Sequence, residues 1–376
     1  MKKLLVLFCI LFLSACTNEY TKLGYSQKEA NLIKSLSVND KTFFSVYDEN
    51  LATLLDEKDF NKDNFDTYYL YIEYLDSDDI VNLVNNNILS SSNFELFKSL
   101  YEVDDFDEEK IESYLEKAIN IKNIEAVVEV VNNNIKDDEE FINEVSSDNF
   151  FVASNLKLYL KYKEEKEDIR ELVEYVNTYA YLKPYDKRIY AEPDKYGTKV
   201  LVNKYFYLGD TYVPDDLVEL TSDQGYGSLR KEAYDAYVKM FEDAKSEGIN
   251  FYATSSYRSY DTQVKIYNRY LTIDSQEEVD IYSARPGFSD HQTGYTVDIL
   301  KQGYDFDNFY TTDESDWLAT NAYKYGFILR YPEGKEMATG YEYEPWHYRY
   351  VGDIAEDVYK SGISYDEYFE KYIREK

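Results

Sequence analysis

An internal repeat limits what the first half of this chain can become. VNNNI stands at Val84–Ile88 and again at Val131–Ile135, and Val176-Asn177 continues the series. Upstream, the pairs Tyr69-Leu70, Tyr114-Leu115 and Tyr159-Leu160 recur at a spacing of 45 positions. Each copy opens on a phenylalanine beside Asn or Asp (Asn64-Phe65, Asp105-Phe106, Asn149-Phe150) and continues as two stretches with apolar residues at helical spacing. A pair of amphipathic helices cannot bury its apolar faces alone, so such copies stack on their neighbours. Residues 20–182 are therefore expected to form an all-α helical-repeat region. It is either a binding or spacing arm or a duplication that packs only against itself, because no site chemistry shows in it.

The pattern changes after residue 182. Residues 183–199 hold two of the six prolines and little periodicity, and read as a linker. Residues 200–376 then alternate helix and strand without a βαβ rhythm. A helix is expected over 228–248 with Gly248 as its stop, a strand over 249–255, and a helix capped by Ser259. A further helix ends at Gly326, FILRY and YRYV read as strands, and two helices close the chain. The expectation is an α+β domain with a small central sheet flanked by helices.

With 376 residues, 44% of them hydrophobic, the chain can bury more than one core. Its formal net charge of −32 leaves no basic surface for phosphates and excludes nucleic acid as a partner. The start, MKKLLVLFCILFLSAC, has two lysines and an apolar run too short to span a bilayer, which suits a secretory signal. Leu13-Ser14-Ala15-Cys16 resembles the lipobox of bacterial lipoproteins. Residues 1–16 are therefore expected to be a signal peptide ending at an acylated Cys16, anchored in the lipid bilayer on the extracytoplasmic face of the cell membrane. Cys9 would leave with the signal, so no cysteine remains for a disulfide or a thiol nucleophile.

Histidine occurs at two positions only, His291 in S-D-H-Q-T-G-Y-T-V-D and His347 in E-P-W-H-Y-R-Y. Neutral imidazole is a common zinc ligand, and a catalytic zinc takes three protein ligands and a water. Asp298, seven residues after His291 and beyond the turn-permitting Gly294, is the candidate third ligand. Glu344 precedes His347 by three; in a straight strand the two would face opposite sides, so a bend is needed to bring them together. Given the bend, Glu344 sits where a general base can serve a water. The competing reading is two partly buried histidines bonded to carboxylates.

Three blocks together, S-S-Y-R-S-x3-Q (Ser255–Gln263), S-D-H-Q-T-G-x3-D (Ser289–Asp298) and E-P-W-H-Y-R-Y-V (Glu344–Val351), resemble the VanY-type zinc D-alanyl-D-alanine carboxypeptidases of peptidoglycan over roughly residues 195–360. The resemblance implies a compact α+β domain with a central antiparallel sheet. It also implies one Zn2+ on His291, Asp298 and His347, with Glu344 as general base. Arg258, Gln263 and Ser289 are implied at the substrate end of the cleft, where the planar fork of an arginine suits a terminal carboxylate. The implied activity is removal of C-terminal D-alanine from peptidoglycan stem peptides. The alternatives are an L,D-carboxypeptidase, an endopeptidase, or a wall-binding lipoprotein without turnover. One departure stands out: Thr296 occupies a position where the family usually has a small apolar residue, and is expected to alter packing behind the metal.

Overall fold

A computed structural model describes residues 19–36, 44–136 and 138–374. The signal sequence and Cys16 lie outside the described residues. The chain forms two compact units that divide between Glu139 and Glu140.

The repeat is visible as helical hairpins. Phe65–Tyr71 pairs with Ser77–Asn85, and Ile111–Lys117 pairs with Ile124–Asn132. In the second unit Leu156–Tyr162 pairs with Ile169–Asn177 in the same way. Each hairpin is closed by one clasp. The hydroxyl of Tyr68, Tyr114 or Tyr159 donates to the side-chain oxygen of Asn85, Asn132 or Asn177, at 2.6 Å in the last two. The same asparagine amide donates to a backbone carbonyl upstream, that of Asp59, Asp105 or Phe150, at 2.8–2.9 Å. This explains VNNNI: its first asparagine is the clasp, and its third, Asn87 or Asn134, turns the chain at φ 61° or 48° in the left-handed region that asparagine tolerates. The structure shifts the sequence alignment by one residue in the first copy. Tyr68, not Tyr69, is equivalent to Tyr114 and Tyr159, because the clasp spans 17 positions there and 18 in the others.

The boundary also moves. Residues 140–182, grouped by sequence with the repeat, belong to the same compact unit as the sheet. Within that unit Arg170 bonds Asp148 at 3.0 Å and pairs with the fully buried Glu367, while Lys335 reaches Glu174 at 3.4 Å. The stretch read as a linker is packed as well: Tyr185 is buried, and β1 (Ile189–Tyr190) pairs in parallel with β2 (Phe206–Tyr207). Low periodicity marked irregular backbone, and that backbone is held by aromatic burial rather than left free.

A second pair, β3 (Leu217–Glu219) and β4 (Ser228–Arg230), leads into the helix Lys231–Ser246. The central sheet has four antiparallel strands: β5 (Tyr252–Ser255), β6 (Thr296–Leu300), β7 (Phe327–Leu329) and β8 (His347–Tyr350), ordered β5-β6-β8-β7. The helix lays Tyr237, Met240 and Phe241 into one core with Phe251, Val297, Ile299 and Tyr348. All five residues of β6 are buried, as befits an inner strand covered on both faces. The pleat sends Val297 and Ile299 into that core and Thr296 and Asp298 to the opposite face. The expected α+β class is what the second unit shows.

Candidate metal centre

Register places the first two functional side chains. Asp298 on β6 lies opposite His347 on β8, and His347 Nδ1 comes within 3.4 Å of Asp298 Oδ1. His291 arrives from the one-turn 3-10 helix Asp290–Thr293, which Gly294 ends at φ 76°. A Cβ at Gly294 would meet Arg230 Cγ at 2.8 Å, so the turn requires glycine on both conformational and steric grounds. His291 Nε2 then lies 3.2 Å from Asp298 Oδ2.

His291 Nδ1 sits 2.8 Å from the Ser256 carbonyl oxygen, which can only accept. The neutral ring therefore carries its proton on Nδ1 and turns a lone pair on Nε2 toward the Asp298 carboxylate. Two acceptors face each other, and Asp298 Oδ1 is buried with no hydrogen-bond partner among the described residues. A cation between them resolves both. His291, Asp298 and His347 offer ligand atoms that all lie within 4.8 Å of one another, two nitrogens and an oxygen of the kind zinc accepts. These residues fit the ion the motifs implied.

The bend that Glu344 needs is present. The His347 N–H donates to the Glu344 carbonyl at 3.1 Å, closing a turn just before β8 begins. Glu344 Oε2 is thereby carried to 2.9 Å from His347 Nδ1. Burial raises the Glu344 carboxyl above the usual range, against the pull of His347. Burial also raises Asp298, but the imidazoles and the Arg258 charge outweigh it and hold that group at about 2. The histidines diverge. Burial lowers His291 despite Asp298; burial also opposes protonation of His347, but Asp290, Glu344 and Asp298 outweigh it and push that ring up to about 9.

Arg258 Nη2 lies 3.8 Å from Asp298 Oδ2 and donates to Ser255 Oγ at 3.0 Å. Ser289 is buried and lines the same cleft of about 540 Å³. Gln263 does not line it. Its side chain is 1% exposed and spent on both ends, accepting from Arg258 Nη1 at 3.0 Å and donating to the Ala284 carbonyl at 2.7 Å. Gln263 thus orients Arg258 rather than touching what enters the cleft.

Sequence reasoning passed over Asp290. This 2% exposed carboxylate accepts from Thr296 Oγ1 at 2.7 Å, pairs with Arg349, and stands 3.6 Å from His347 Nε2. His347 and Arg349 share a face of β8, two residues apart, so both meet it. Arg349 in turn donates to the Val200 carbonyl at 2.7 Å. The departure at Thr296 is explained: its hydroxyl braces the acid behind His347. The signal was available in the adjacency of Asp290 and His291, and in the arginine two positions beyond His347.

Two imidazoles and a carboxylate converging on one point, with a second carboxylate alongside in a cleft, are the kind of ligand and base set that mononuclear metallohydrolases use. Residues 227–353 match the VanY family model, described as D-alanyl-D-alanine carboxypeptidase. It is 43% identical over 181 residues to the YodJ protein of Bacillus subtilis (strain 168), which carries a provisional carboxypeptidase name; the match covers 46% of this chain and 66% of that one. It is 33% identical over 202 residues to a D-alanyl-D-alanine carboxypeptidase of Enterococcus faecium, covering 51% of this chain and 63% of that one. The chain thus spans just under two thirds of the length of these relatives. Among solved structures, that of the LdcB LD-carboxypeptidase is 41% identical, with 46% of this chain and 87% of that chain covered and a TM-score of 0.43. A VanY D,D-pentapeptidase variant in complex with Zn(II) is 30% identical, with 46% and 98% covered and a TM-score of 0.40.

Proposed function

We propose that the protein is a zinc-dependent carboxypeptidase that releases C-terminal D-alanine from peptidoglycan stem peptides. The observation that carries this is the convergence of His291, Asp298 and His347 beside Glu344, in a domain of a D-alanyl-D-alanine carboxypeptidase family. Held there, zinc supplies Lewis acidity toward the scissile carbonyl and an acidified water. The chain's own residues do the rest. Glu344 Oε2 takes the proton of the attacking water and hands it to the leaving amine, and burial keeps its carboxyl basic enough for both transfers. Arg258, braced by Gln263 and Ser255, presents its guanidinium to the substrate's terminal carboxylate. Asp290 holds the far edge of the His347 ring. No serine nucleophile takes part, so a labelled penicillin is expected to leave the protein unacylated.

The deciding assay offers the zinc-loaded protein a stem pentapeptide ending in D-Ala-D-Ala and a tetrapeptide ending in Lys-D-Ala. D-Alanine from the pentapeptide alone supports D,D-specificity. Release from the tetrapeptide alone moves the assignment to the L,D class, the activity named for LdcB. No release from either, with zinc bound, overturns the carboxypeptidase reading in favour of an endopeptidase or wall-binding role.

The same proposal places the protein on the outer face of the cell membrane through lipid on Cys16, on the strength of Leu13-Ser14-Ala15-Cys16. Labelled palmitate should enter the native chain and not Cys16→Ser. Equal labelling of both would remove the anchor.

A further inference from the structure

Building on the stem-peptide reading, we propose that Arg269 reads a carboxylate on the peptide about three residues before the one released, so that the substrate class is a stem peptide whose glutamyl α-carboxyl is free rather than amidated. The helix Tyr260–Tyr270 starts beside the metal centre, directly after Arg258, and is capped by Ser259 Oγ accepting from the Thr262 N–H. Its Gln263 supports Arg258 from below, while Ile266, Arg269 and Tyr270 line the cleft farther along. The helix is therefore a wall that runs away from the reacting bond.

Its length sets a ruler. Six residues separate Gln263 from Arg269, about 9 Å at the helical rise of 1.5 Å per residue. An extended peptide advances about 3.3 Å per residue, so about three residues fit between the two levels. With the terminal carboxylate at Arg258, Arg269 stands level with the third residue upstream. In a stem pentapeptide with lysine at its third position, that level is the glutamyl residue, whose α-carboxyl is the one acid in mid-chain.

Charge supports the match. Arg258 and Arg269 are the arginines of the cleft, and Arg258 is engaged by Ser255 and Gln263. Arg269 is exposed, and no carboxylate of the described residues pairs with it, although Asp307 and Glu342 line the same cleft. Beside it Tyr270 packs edge-on against Tyr282, ring centroids 5.2 Å apart, giving the peptide backbone a firm aromatic bed. A free guanidinium over such a bed awaits an anion from outside the protein.

The test uses two pentapeptides that differ only in carrying a carboxylate or a carboxamide on the second residue. The zinc-loaded full chain should prefer the acid by roughly two- to fivefold in kcat/KM, the range of an exposed ion pair, with the difference in KM. Arg269→Gln should bring that ratio close to one, Arg269→Lys should keep most of it, and raised salt should shrink it in the parent. A parent without preference, or a preference that Arg269→Gln leaves intact, overturns the proposal. If neither pentapeptide releases D-alanine, the D,D-carboxypeptidase reading fails by itself. The same two peptides titrated calorimetrically into zinc-loaded Glu344→Gln then decide Arg269 separately.

Discussion

In the helical hairpins the clasp side chains answer one another: tyrosine donates to asparagine, and asparagine donates to a backbone carbonyl. At the sheet the polar groups point at one another with like character. His291 Nε2 faces Asp298 Oδ2, and Asp298 Oδ1 is buried without a hydrogen-bond partner among the described residues. The first arrangement is complete as protein and serves stability. The second is complete only with a cation, and that incompleteness marks a site more sharply than burial or charge does. The third hairpin shows that burial alone does not make the difference, since its clasp at Asn177 is as buried as the metal centre.

The contrast predicts which substitutions separate function from folding. Glu344→Gln should lower D-alanine release by roughly 10²–10⁴-fold while zinc content, measured by atomic absorption, stays at one per chain. A variant that turns over normally would leave the centre without its base. Asp290→Asn lies between the two kinds, because it strands the fully buried Arg349 as well as loosening His347. Denaturant titration should show a loss of about 3–5 kcal/mol.

A pH series sharpens the comparison further. His347 holds a proton up to about 9 in the metal-free protein, and zinc must displace it. The sign follows: below that pH the proton competes, so zinc affinity should rise about tenfold per pH unit and level off near 9. Competition with a chromophoric chelator from pH 6 to 10 measures it, and a flat profile would overturn the proton competition at His347. On the other side, Asn177→Ala should cost about 1–3 kcal/mol of stability for its stranded tyrosine hydroxyl, with kcat/KM held. Smallest is Thr296→Ala, about 1 kcal/mol for one hydrogen bond to Asp290, with zinc affinity reduced a few-fold.

The motif residues were legible because their chemistry is local: histidine at only two positions, each next to an acid and a turn, leaves few other uses for it. Helical hairpins were legible for the same reason, since a 3.6-residue period is written along the chain. The Tyr69 alignment failed by one residue because dipeptide identity does not register a shorter connection, whereas the hydrogen bond does.

Sequence by itself determined the repeat, the α+β class and the set of residues His291, Asp298, Glu344 and His347. Tertiary structure alone decided that Asp298 lies opposite His347, that a turn brings Glu344 beside it, and that Asp290 braces both strands from behind. It also decided that residues 140–199 pack with the sheet rather than serve as arm and linker. The reason is physical. Periodicity and side-chain chemistry act over a few residues and can be read along the chain. Strand register, ion pairs between distant segments and the direction of a lone pair arise only when the folded chain brings those segments together.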